Sequence, residues 1–266
     1  MKTRILVAVV GVPILVWLVL WAPPVVVAAA LALLAGIGGR ELYLCTGGKK
    51  KDFLEFWSVL YPIVLVALYY GPPAYFAPKW IYVGIAVTFA YAVLRGGEVK
   101  FSQIMAVAFG GSFIGWSFAA FLRLEMTGIH RAYLLLPFIL SFACDTFAYF
   151  AGRALGKHKL APKVSPNKTI EGSIGGILGN IVCGLIFAVV MDKVFDAGIS
   201  LAAMALLAFL CSIVAQLGDL SFSLIKREFG IKDYGKLFLA HGGVLDRFDS
   251  VLFVVPVVEI VLMLVQ

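Results

Sequence analysis

One segment of the sequence, residues 226–249, combines many charges of both signs in a chain that is otherwise apolar. We call this segment the charged strip. Nine of its 24 residues are charged, whereas charged residues make up 14% of the whole chain. They are Lys226, Arg227, Glu228, Lys232, Asp233, Lys236, Asp246, Arg247 and Asp249. Carboxylates can bind a divalent cation and Lys and Arg can neutralise phosphate oxygens, so the strip predicts chemistry on a phosphate compound.

Four carboxylates lie inside or beside apolar segments, where hydropathy disfavours them. Asp145 and Asp219 each interrupt a long apolar run, and Asp246 and Asp249 precede the last one. A charged side chain at the centre of a membrane helix costs about 2.5–3.5 kcal/mol on insertion scales. These acids should therefore face a cavity, a partner or a metal ion. The alternative for each acid is an ion pair with Lys or Arg, buried between two helices.

The spacing of these acids groups them with other polar residues. On a continuous helix, Asp219, Ser223 and Lys226 fall at i, i+4 and i+7 and share one stripe. Asp246 and Asp249 fall at i and i+3 and share a face in the same way. Ligand sets made only of oxygen suit magnesium, which is held by one or two carboxylates together with substrate phosphates.

A second polar segment, residues 153–171, carries five basic residues. Within it, Ser165-Pro166 predicts a helix cap with proline in the first turn of the following helix. The free backbone amides at such a helix start could bind an anion, and Lys168 and Thr169 could donate further hydrogen bonds. The alternative is an ordinary basic loop with a good helix cap.

The charged strip also contains a histidine followed by two glycines. Gly242 and Gly243 can adopt positive φ and let the backbone approach a ligand closely, so His241, Gly242 and Gly243 predict a turn that binds phosphate. A plain turn between two helices is the alternative. No second His or Cys lies near His241 in the sequence, which disfavours it as a metal ligand.

The composition is typical of a membrane protein. The mean hydropathy is +1.00 and 14% of residues are charged, against about a quarter in soluble domains. Nine apolar stretches predict about nine transmembrane helices in an all-α, polytopic integral membrane protein. They cover residues 5–21, 25–44, 56–70, 80–94, 101–122, 132–150, 172–191, 199–222 and 250–265. The first stretch could also be a cleaved signal peptide, but its length and its continuation into a second span favour a retained helix.

The distribution of Lys and Arg predicts the orientation of the chain. With nine spans, 18 of the 22 Lys and Arg residues fall on one side of the membrane and 4 on the other. Since positive charge accumulates in cytoplasmic loops, the N-terminus, residues 153–171 and the charged strip are predicted to face the cytoplasm. The net charge of +7 fits loops that face anionic lipid, and an anionic substrate is the alternative explanation. Little soluble surface remains for nucleic acid, so no nucleic-acid partner is expected.

No repeat or linker divides the sequence, which predicts a single membrane-embedded domain over residues 1–266. Residues 1–131 would contain the first five helices, and residues 132–266 four catalytic helices with two cytosolic loops. The four cysteines lack CxxC spacing and are interpreted as packing residues. Small residues in the seventh helix would permit close packing within one chain or between two copies, so a homodimer is left open.

The charged strip and the serine just before it resemble the signature of the phosphatidate cytidylyltransferases (CDP-diacylglycerol synthases). The matching residues there are Ser223, Lys226, Arg227, Lys232, Asp233, Gly235, His241, Gly242, Gly243, Asp246, Arg247 and Asp249. Further matches are Asp145, Ala148, Tyr149, Gly152, Arg153, Gly156, Lys157, Ser165, Pro166, Lys168, Thr169, Glu171 and Gly172. The resemblance covers the second half of the chain, while the first half agrees only in being hydrophobic. Leu239 departs from the pattern, because the family usually has proline or another turn-forming residue there.

The resemblance implies that CTP and phosphatidic acid react at the cytoplasmic face of the cell (inner) membrane. The products would be CDP-diacylglycerol and pyrophosphate, and Mg²⁺ would be required. Asp219 and Asp246 would be the first metal ligands, with Asp249 and Asp145 behind them or at a second cation. The implied catalytic residues are Asp219, Asp246, Lys226 and Arg227. The implied substrate-binding residues are Arg153, Ser165, Lys168, Thr169, Ser223, Lys232, His241, Gly242, Gly243 and Arg247.

Other functions remain open from the sequence. A CTP-dependent lipid kinase or another liponucleotide synthase would need a similar site. A polytopic transporter would also place acids within membrane helices, but no inverted repeat is visible and the charges gather on one side. The CDP-alcohol phosphotransferases are disfavoured, because the sequence lacks their DG..AR block and the paired acids that follow it.

Overall fold

The computed structural model describes residues 2–70, 75–237 and 242–265, and these are almost entirely helical. The helices are α1 (Lys2–Leu20), α2 (Pro24–Cys45), α3 (Phe53–Tyr70), α4 (Ala77–Leu94), α5 (Phe101–Met105), α6 (Gly111–Met126), α7 (Leu136–Leu155), α8 (Ile170–Phe195), α9 (Leu201–Glu228) and α10 (Leu245–Val265). A π-helical turn, Ala106–Gly110, joins α5 to α6, and a 3₁₀ turn, Arg131–Leu135, precedes α7.

The prediction of an all-α polytopic membrane protein is confirmed. Within the described ranges, eight helical segments are long and apolar enough to cross a membrane. They are α2, α3, α4, Phe101–Met126, Arg131–Leu155, α8, α9 and α10, and they match the second to ninth predicted stretches. The first predicted stretch falls in α1, where Gly11–Leu20 forms a shorter apolar helix. Pro62 lies inside α3 and does not end it.

The chain divides into two compact units, each discontinuous in sequence. The first unit comprises the residues up to Arg123 together with Glu228–Arg247. The second unit comprises Leu124–Arg227 together with the residues from Phe248 onward. The single domain predicted over residues 1–266 stays a prediction.

The first unit is built around a buried aromatic cluster. Its members are Tyr43, Leu54, Trp57, Tyr61 and Val107. The rings of Trp57 and Tyr61 are stacked, with their centroids 5.8 Å apart. Gly84 of α4 has no Cβ where the Tyr61 ring lies, so α4 can approach α3 closely. The cluster therefore fixes α2, α3 and α4 against the π-helical turn.

The second unit is built around the packing of α7 against α8. A Cβ on Gly175 would overlap the Cβ of Ala151, and a Cβ on Gly179 would overlap the Phe147 ring. Glycine at these two positions lets the helix backbones lie close together. These small residues of α8 are therefore used for packing within the chain.

A short β-hairpin connects α7 to α8. Strands β1 (Lys159–Ala161) and β2 (Ser165–Thr169) pair antiparallel, with Lys159 opposite Thr169 and Ala161 opposite Ser165. The sequence analysis does not predict these strands. They are only three and five residues long and show no alternation of apolar and polar side chains that would indicate a strand.

The predicted helix cap at Ser165-Pro166 is wrong. Both residues lie in β2, and α8 begins later, at Ile170. Thr169 is the cap residue, since its Oγ1 accepts a hydrogen bond from the Gly172 N–H at 3.1 Å. A threonine hydroxyl is also a good cap, so local preference alone does not choose between the two positions. Strand pairing places Ser165 in the hairpin and leaves the cap to Thr169.

Candidate active site

A cavity of about 390 Å³ lies in the second unit among α7, the β-hairpin, α8 and α9. Its walls are formed by Asp145, Ala148, Tyr149, Gly152, Arg153, Leu160, Asn167, Lys168, Thr169, Gly172, Ser173, Gln216 and Asp219. Five of these were predicted as site residues from the sequence, namely Asp145, Arg153, Lys168, Thr169 and Asp219. The fold thus brings residues 153–171 together with the acids of α7 and α9.

Asp219 makes polar contacts with two side chains of the second unit. Lys168 Nζ forms an ion pair with Asp219 Oδ2, and Ser223 Oγ donates to Asp219 Oδ1 at 3.3 Å. The Ser223 contact is the one that the i, i+4 spacing on a continuous α9 predicts. A lysine beside a carboxylate in a cavity supplies a cation for phosphate oxygens and an oxygen ligand for a metal ion. The contact with Lys168 is also the kind of ion pair that was left open as the alternative role for each of these acids.

One face of α7 forms another wall of the cavity. Asp145, Tyr149 and Arg153 are spaced by four residues each and share this face. Arg153 Nη1 donates to Tyr149 Oη at 3.4 Å. A Cβ on Gly152 would lie 2.9 Å from Thr169 Oγ1, so glycine lets the hairpin approach α7. The basic side chain of Arg153 and the acid of Asp145 therefore border the same space.

The hairpin that carries Lys168 is fixed at its base and at its turn. His158 Nδ1 lies 2.6 Å from Glu171 Oε1, and the backbone N–H groups of Lys157 and His158 donate to the same carboxylate. At the turn, Arg227 Nε donates to the carbonyl oxygen of Val164 at 3.3 Å. Arg227, predicted as catalytic, thus contacts the backbone of the hairpin turn. These contacts hold the strand from which Lys168 reaches the cavity.

Asp249 is electrostatically coupled to other charged residues of the second unit. Asp219, Asp145 and Lys226 lie close enough to interact with its carboxylate. Asp249 Oδ1 also accepts the N–H of Ser250 at 2.8 Å. Three of the four predicted metal ligands therefore belong to one charged neighbourhood in this unit.

The donor set around the cavity can be compared with the requirements of magnesium. Among the residues that the structure describes, no three or more His, Cys, Asp or Glu side chains form a group that could hold a metal ion by themselves. Two carboxylates, Asp145 and Asp219, line the cavity. Magnesium retains waters and is commonly held by one or two carboxylates plus substrate phosphates. The residues present fit magnesium that binds together with a phosphate ligand.

In the first unit, Asp246 closes the loop between α9 and α10. Its Oδ2 accepts the N–H of Tyr234 at 2.7 Å and the N–H of Gly243 at 2.9 Å. Gly242 has a φ of +83°, and a Cβ there would lie 2.6 Å from Asp246 Oδ2. Gly242 and Gly243 thus pack against a carboxylate of the chain itself. Their predicted contact with phosphate stays a prediction.

Glu41 contacts the end of this loop and is not among the residues predicted from the sequence. It is buried near the end of α2, and its carboxylate accepts the N–H groups of Val244 and Leu245. The one sequence feature that could have indicated Glu41 is an acid within an apolar stretch. Glu41 lies at the end of that stretch, beside Arg40 and a run of lysines, where a charge is ordinary.

The remaining predicted residues occupy more peripheral positions. Ser165 is partly buried in β2 and does not line the cavity, Lys232 is exposed in the loop after α9, and Arg247 is exposed in the first turn of α10. His241 and Leu239 lie outside the described residues. The roles predicted for Ser165, Lys232, His241 and Arg247 stay predictions.

Comparison with known proteins identifies the family to which the chain is similar. The profile of the Cytidylyltransferase family matches residues 2–265. A protein of Staphylococcus epidermidis named phosphatidate cytidylyltransferase is 34% identical over 270 residues, which cover 98% of this chain and 99% of that protein. Proteins of the same name from Staphylococcus haemolyticus and Staphylococcus aureus are 39% identical over 181 residues and 36% identical over 176 residues. These two alignments cover 67% of each chain for the first protein, and 66% of this chain and 65% of that protein for the second.

The family profile spans nearly the whole chain, and the similarity to the S. epidermidis protein extends over both units. The resemblance proposed from the charged strip is therefore confirmed. This chain belongs to the Cytidylyltransferase family.

Proposed function

We propose that this protein transfers the cytidylyl (CMP) group of CTP to phosphatidic acid, which yields CDP-diacylglycerol and pyrophosphate. The observation that carries the proposal is the cavity where Lys168, Arg153 and Asp219 meet, within a chain built of membrane-length helices. Membership of the Cytidylyltransferase family supports a nucleotidyl transfer at this site. The relatives named phosphatidate cytidylyltransferase support phosphatidic acid as the acceptor.

The proposed reaction is a displacement at phosphorus. A phosphate oxygen of phosphatidic acid attacks the α-phosphorus of CTP, and the bond from that phosphorus to the β-phosphate oxygen breaks, so that pyrophosphate leaves. A phosphate monoester has a second pKa of about 6 and is already a dianion near neutral pH. The chain therefore needs no general base. Its task is to position the two substrates and to neutralise charge.

Each cavity residue has a task in this scheme. Lys168 and Arg153 would bind phosphate oxygens, while Asp219 and Asp145 would hold magnesium, with Asp249 close by. Magnesium, when bound between these carboxylates and a substrate phosphate, would supply positive charge that stabilises the negative charge developing in the reaction. Asp246 keeps the metal role that the sequence predicts for it, and a second cation is left open.

The substrates also suggest where the reaction takes place. CTP is soluble and phosphatidic acid is a membrane lipid, so the site must be reached from both phases. We place it at the cytoplasmic face of the cell membrane, because 18 of the 22 Lys and Arg residues fall on the predicted cytoplasmic side.

The proposal is tested with the purified protein in detergent. Phosphatidic acid is supplied with CTP that is labelled either at the α-phosphorus or at the γ-phosphorus. We expect lipid labelled from the α position only, in a reaction that requires magnesium and is lost in Asp219→Asn. Label from the γ position in the lipid would instead identify a CTP-dependent lipid kinase. Label transferred to a polyprenol but not to phosphatidic acid would identify a different liponucleotide pathway and overturn the proposed acceptor.

A further inference from the structure

Glu41 is a buried carboxylate that the proposed reaction does not use. It lies in α2, a helix long and apolar enough to cross a membrane, and only 7% of the residue is exposed. An ionisable side chain in such a helix is costly and calls for a partner. The neighbouring Arg40 forms its ion pair with Glu55, with 2.6 Å between Arg40 Nη2 and Glu55 Oε1.

The partners of Glu41 are backbone groups at the start of α10. Glu41 Oε1 accepts the N–H of Val244 at 3.0 Å, and Glu41 Oε2 accepts the N–H of Leu245 at 2.9 Å. The first N–H groups of a helix have no partner within the helix, and a negative charge is favoured at this end. Both oxygens of Glu41 are therefore engaged in fixing where α10 begins.

Two glycines of the charged strip leave space for the same carboxylate. A Cβ on Gly235 or on Gly243 would overlap Glu41 Oε1. Gly243 also donates its N–H to Asp246, which in turn accepts the N–H of Tyr234. Glu41 and Asp246 thus accept hydrogen bonds from adjacent backbone N–H groups of one short segment, residues 243–245.

We propose that Glu41 is a positioning residue for the cytidylyl transfer, acting through the α9–α10 loop on Asp246. This inference rests on the proposed function, in which Asp246 has a metal role. Charge-assisted hydrogen bonds to a carboxylate are about twice as strong as those between neutral groups. A glutamine at position 41 offers one acceptor oxygen, and its NH₂ group faces the second backbone N–H. The loop would then lose one of the two contacts that fix the start of α10.

The test compares Glu41→Gln with Glu55→Gln, which removes a charge of the same kind from the same unit without touching this loop. The kcat and KM for CTP are measured on purified protein, together with thermal unfolding and amide hydrogen exchange of residues 242–246. For Glu41→Gln we expect kcat to fall about 10- to 100-fold, as for residues that orient a metal ligand. The KM for CTP should stay unchanged and exchange at Val244 and Leu245 should become faster. Glu55→Gln should match the wild type in kcat and in exchange at Val244 and Leu245.

A second variant keeps the proposal falsifiable if Glu41→Gln does not fold. Gly235→Ala places a methyl group against Glu41 and should give the same loss of kcat and the same faster exchange. Wild-type kcat in folded Glu41→Gln, or reduced kcat with unchanged exchange in the loop, would overturn the role of Glu41. If Glu41 only stabilised the fold, its replacement would lower the unfolding temperature and leave kcat per folded molecule unchanged. A wild-type protein that forms no labelled lipid would overturn the proposed function instead, which separates the two failures.

Discussion

The ion pair between Lys168 and Asp219 admits two interpretations that differ in what its removal should do. The two side chains are 24% and 26% exposed, so the pair is only partly withdrawn from solvent. Exposed ion pairs contribute only about 0–1 kcal/mol to stability, but breaking a largely buried pair costs more, because it leaves one charge uncompensated. Loss of a purely structural pair would therefore lower mainly the stability of the protein. A pair that places a cation beside bound phosphate would matter mainly for activity.

Replacement of Lys168 distinguishes these interpretations. We expect Lys168→Met to lower kcat/KM for CTP about 10²- to 10³-fold, as for loss of one group that stabilises transition-state charge. The matched control is Lys163→Met, which removes an exposed lysine from the turn of the same hairpin. Steady-state rates and thermal unfolding are measured for both. Equal activity of the two variants would show that Lys168 has no role in the reaction.

Gly242 is constrained in two ways that a matched variant can separate. Its φ is +83°, a conformation that costs a residue with a Cβ about 1–2 kcal/mol, and a Cβ would also crowd Asp246. Gly230 has a φ of +65° with no atom within 4 Å of its would-be Cβ. We expect Gly242→Ala to lose activity, because Asp246 must move, while Gly230→Ala shows only a small loss of stability. Similar activity in both variants would assign the effect of Gly242 to backbone strain alone.

Single residues differ in how far the sequence reveals them. Asp145 and Asp219 are predictable because an acid in the middle of an apolar stretch is costly and has few explanations. Lys168 and Thr169 are predictable as part of a basic segment. Glu41 is not, because its partners Val244 and Leu245 lie 203 and 204 residues away in the sequence, and only the fold brings them together.

At the scale of elements, the close packing of α7 on α8 predicts how the two helices respond when a methyl group is added to one of them. Gly175→Ala adds a methyl group that overlaps Ala151, and such overpacking costs about 1–3 kcal/mol. The double variant Gly175→Ala/Ala151→Gly moves the methyl group across the interface and should recover part of this loss. Thermal unfolding of the two single variants and the double variant measures the coupling. Strictly additive losses would mean that these two residues do not pack together.

The helices and the hairpin also differ in how far the sequence predicts them. The apolar stretches predict α2 to α4 and α8 to α10, although those for α3 and α4 are shorter than the roughly 20 residues that a membrane-spanning segment needs. The hairpin has no such constraint, and its pairing depends on contacts such as Glu171 with His158 and Arg227 with Val164. A cap at Ser165 is locally as reasonable as one at Thr169, so these contacts decide the outcome.

At the scale of the whole molecule, the orientation in the membrane follows from charge and not from packing. The N-terminus and the segments that follow every second apolar stretch are the richest in Lys and Arg. As a result, 18 of the 22 Lys and Arg residues fall on one predicted side of the membrane and 4 on the other. Adding or removing one span would scramble this division in every later loop. The predicted cytoplasmic location of residues 153–171 and of the charged strip therefore depends on the number of spans.

Cysteine labelling of intact cells tests this orientation. Lys50→Cys, Lys163→Cys and Lys193→Cys each place a thiol at an exposed position, in a background where Cys45 and Cys183 are replaced by serine. Because Lys50 and Lys163 lie on the predicted cytoplasmic side, their cysteines should react with a membrane-impermeant maleimide only after the cells are permeabilised. The cysteine at position 193 should react in intact cells. If Lys163→Cys reacts in intact cells while Lys50→Cys is protected, the number of spans between them is odd and the proposed cytoplasmic location of the site is wrong. If both react and position 193 is protected, the whole orientation is inverted.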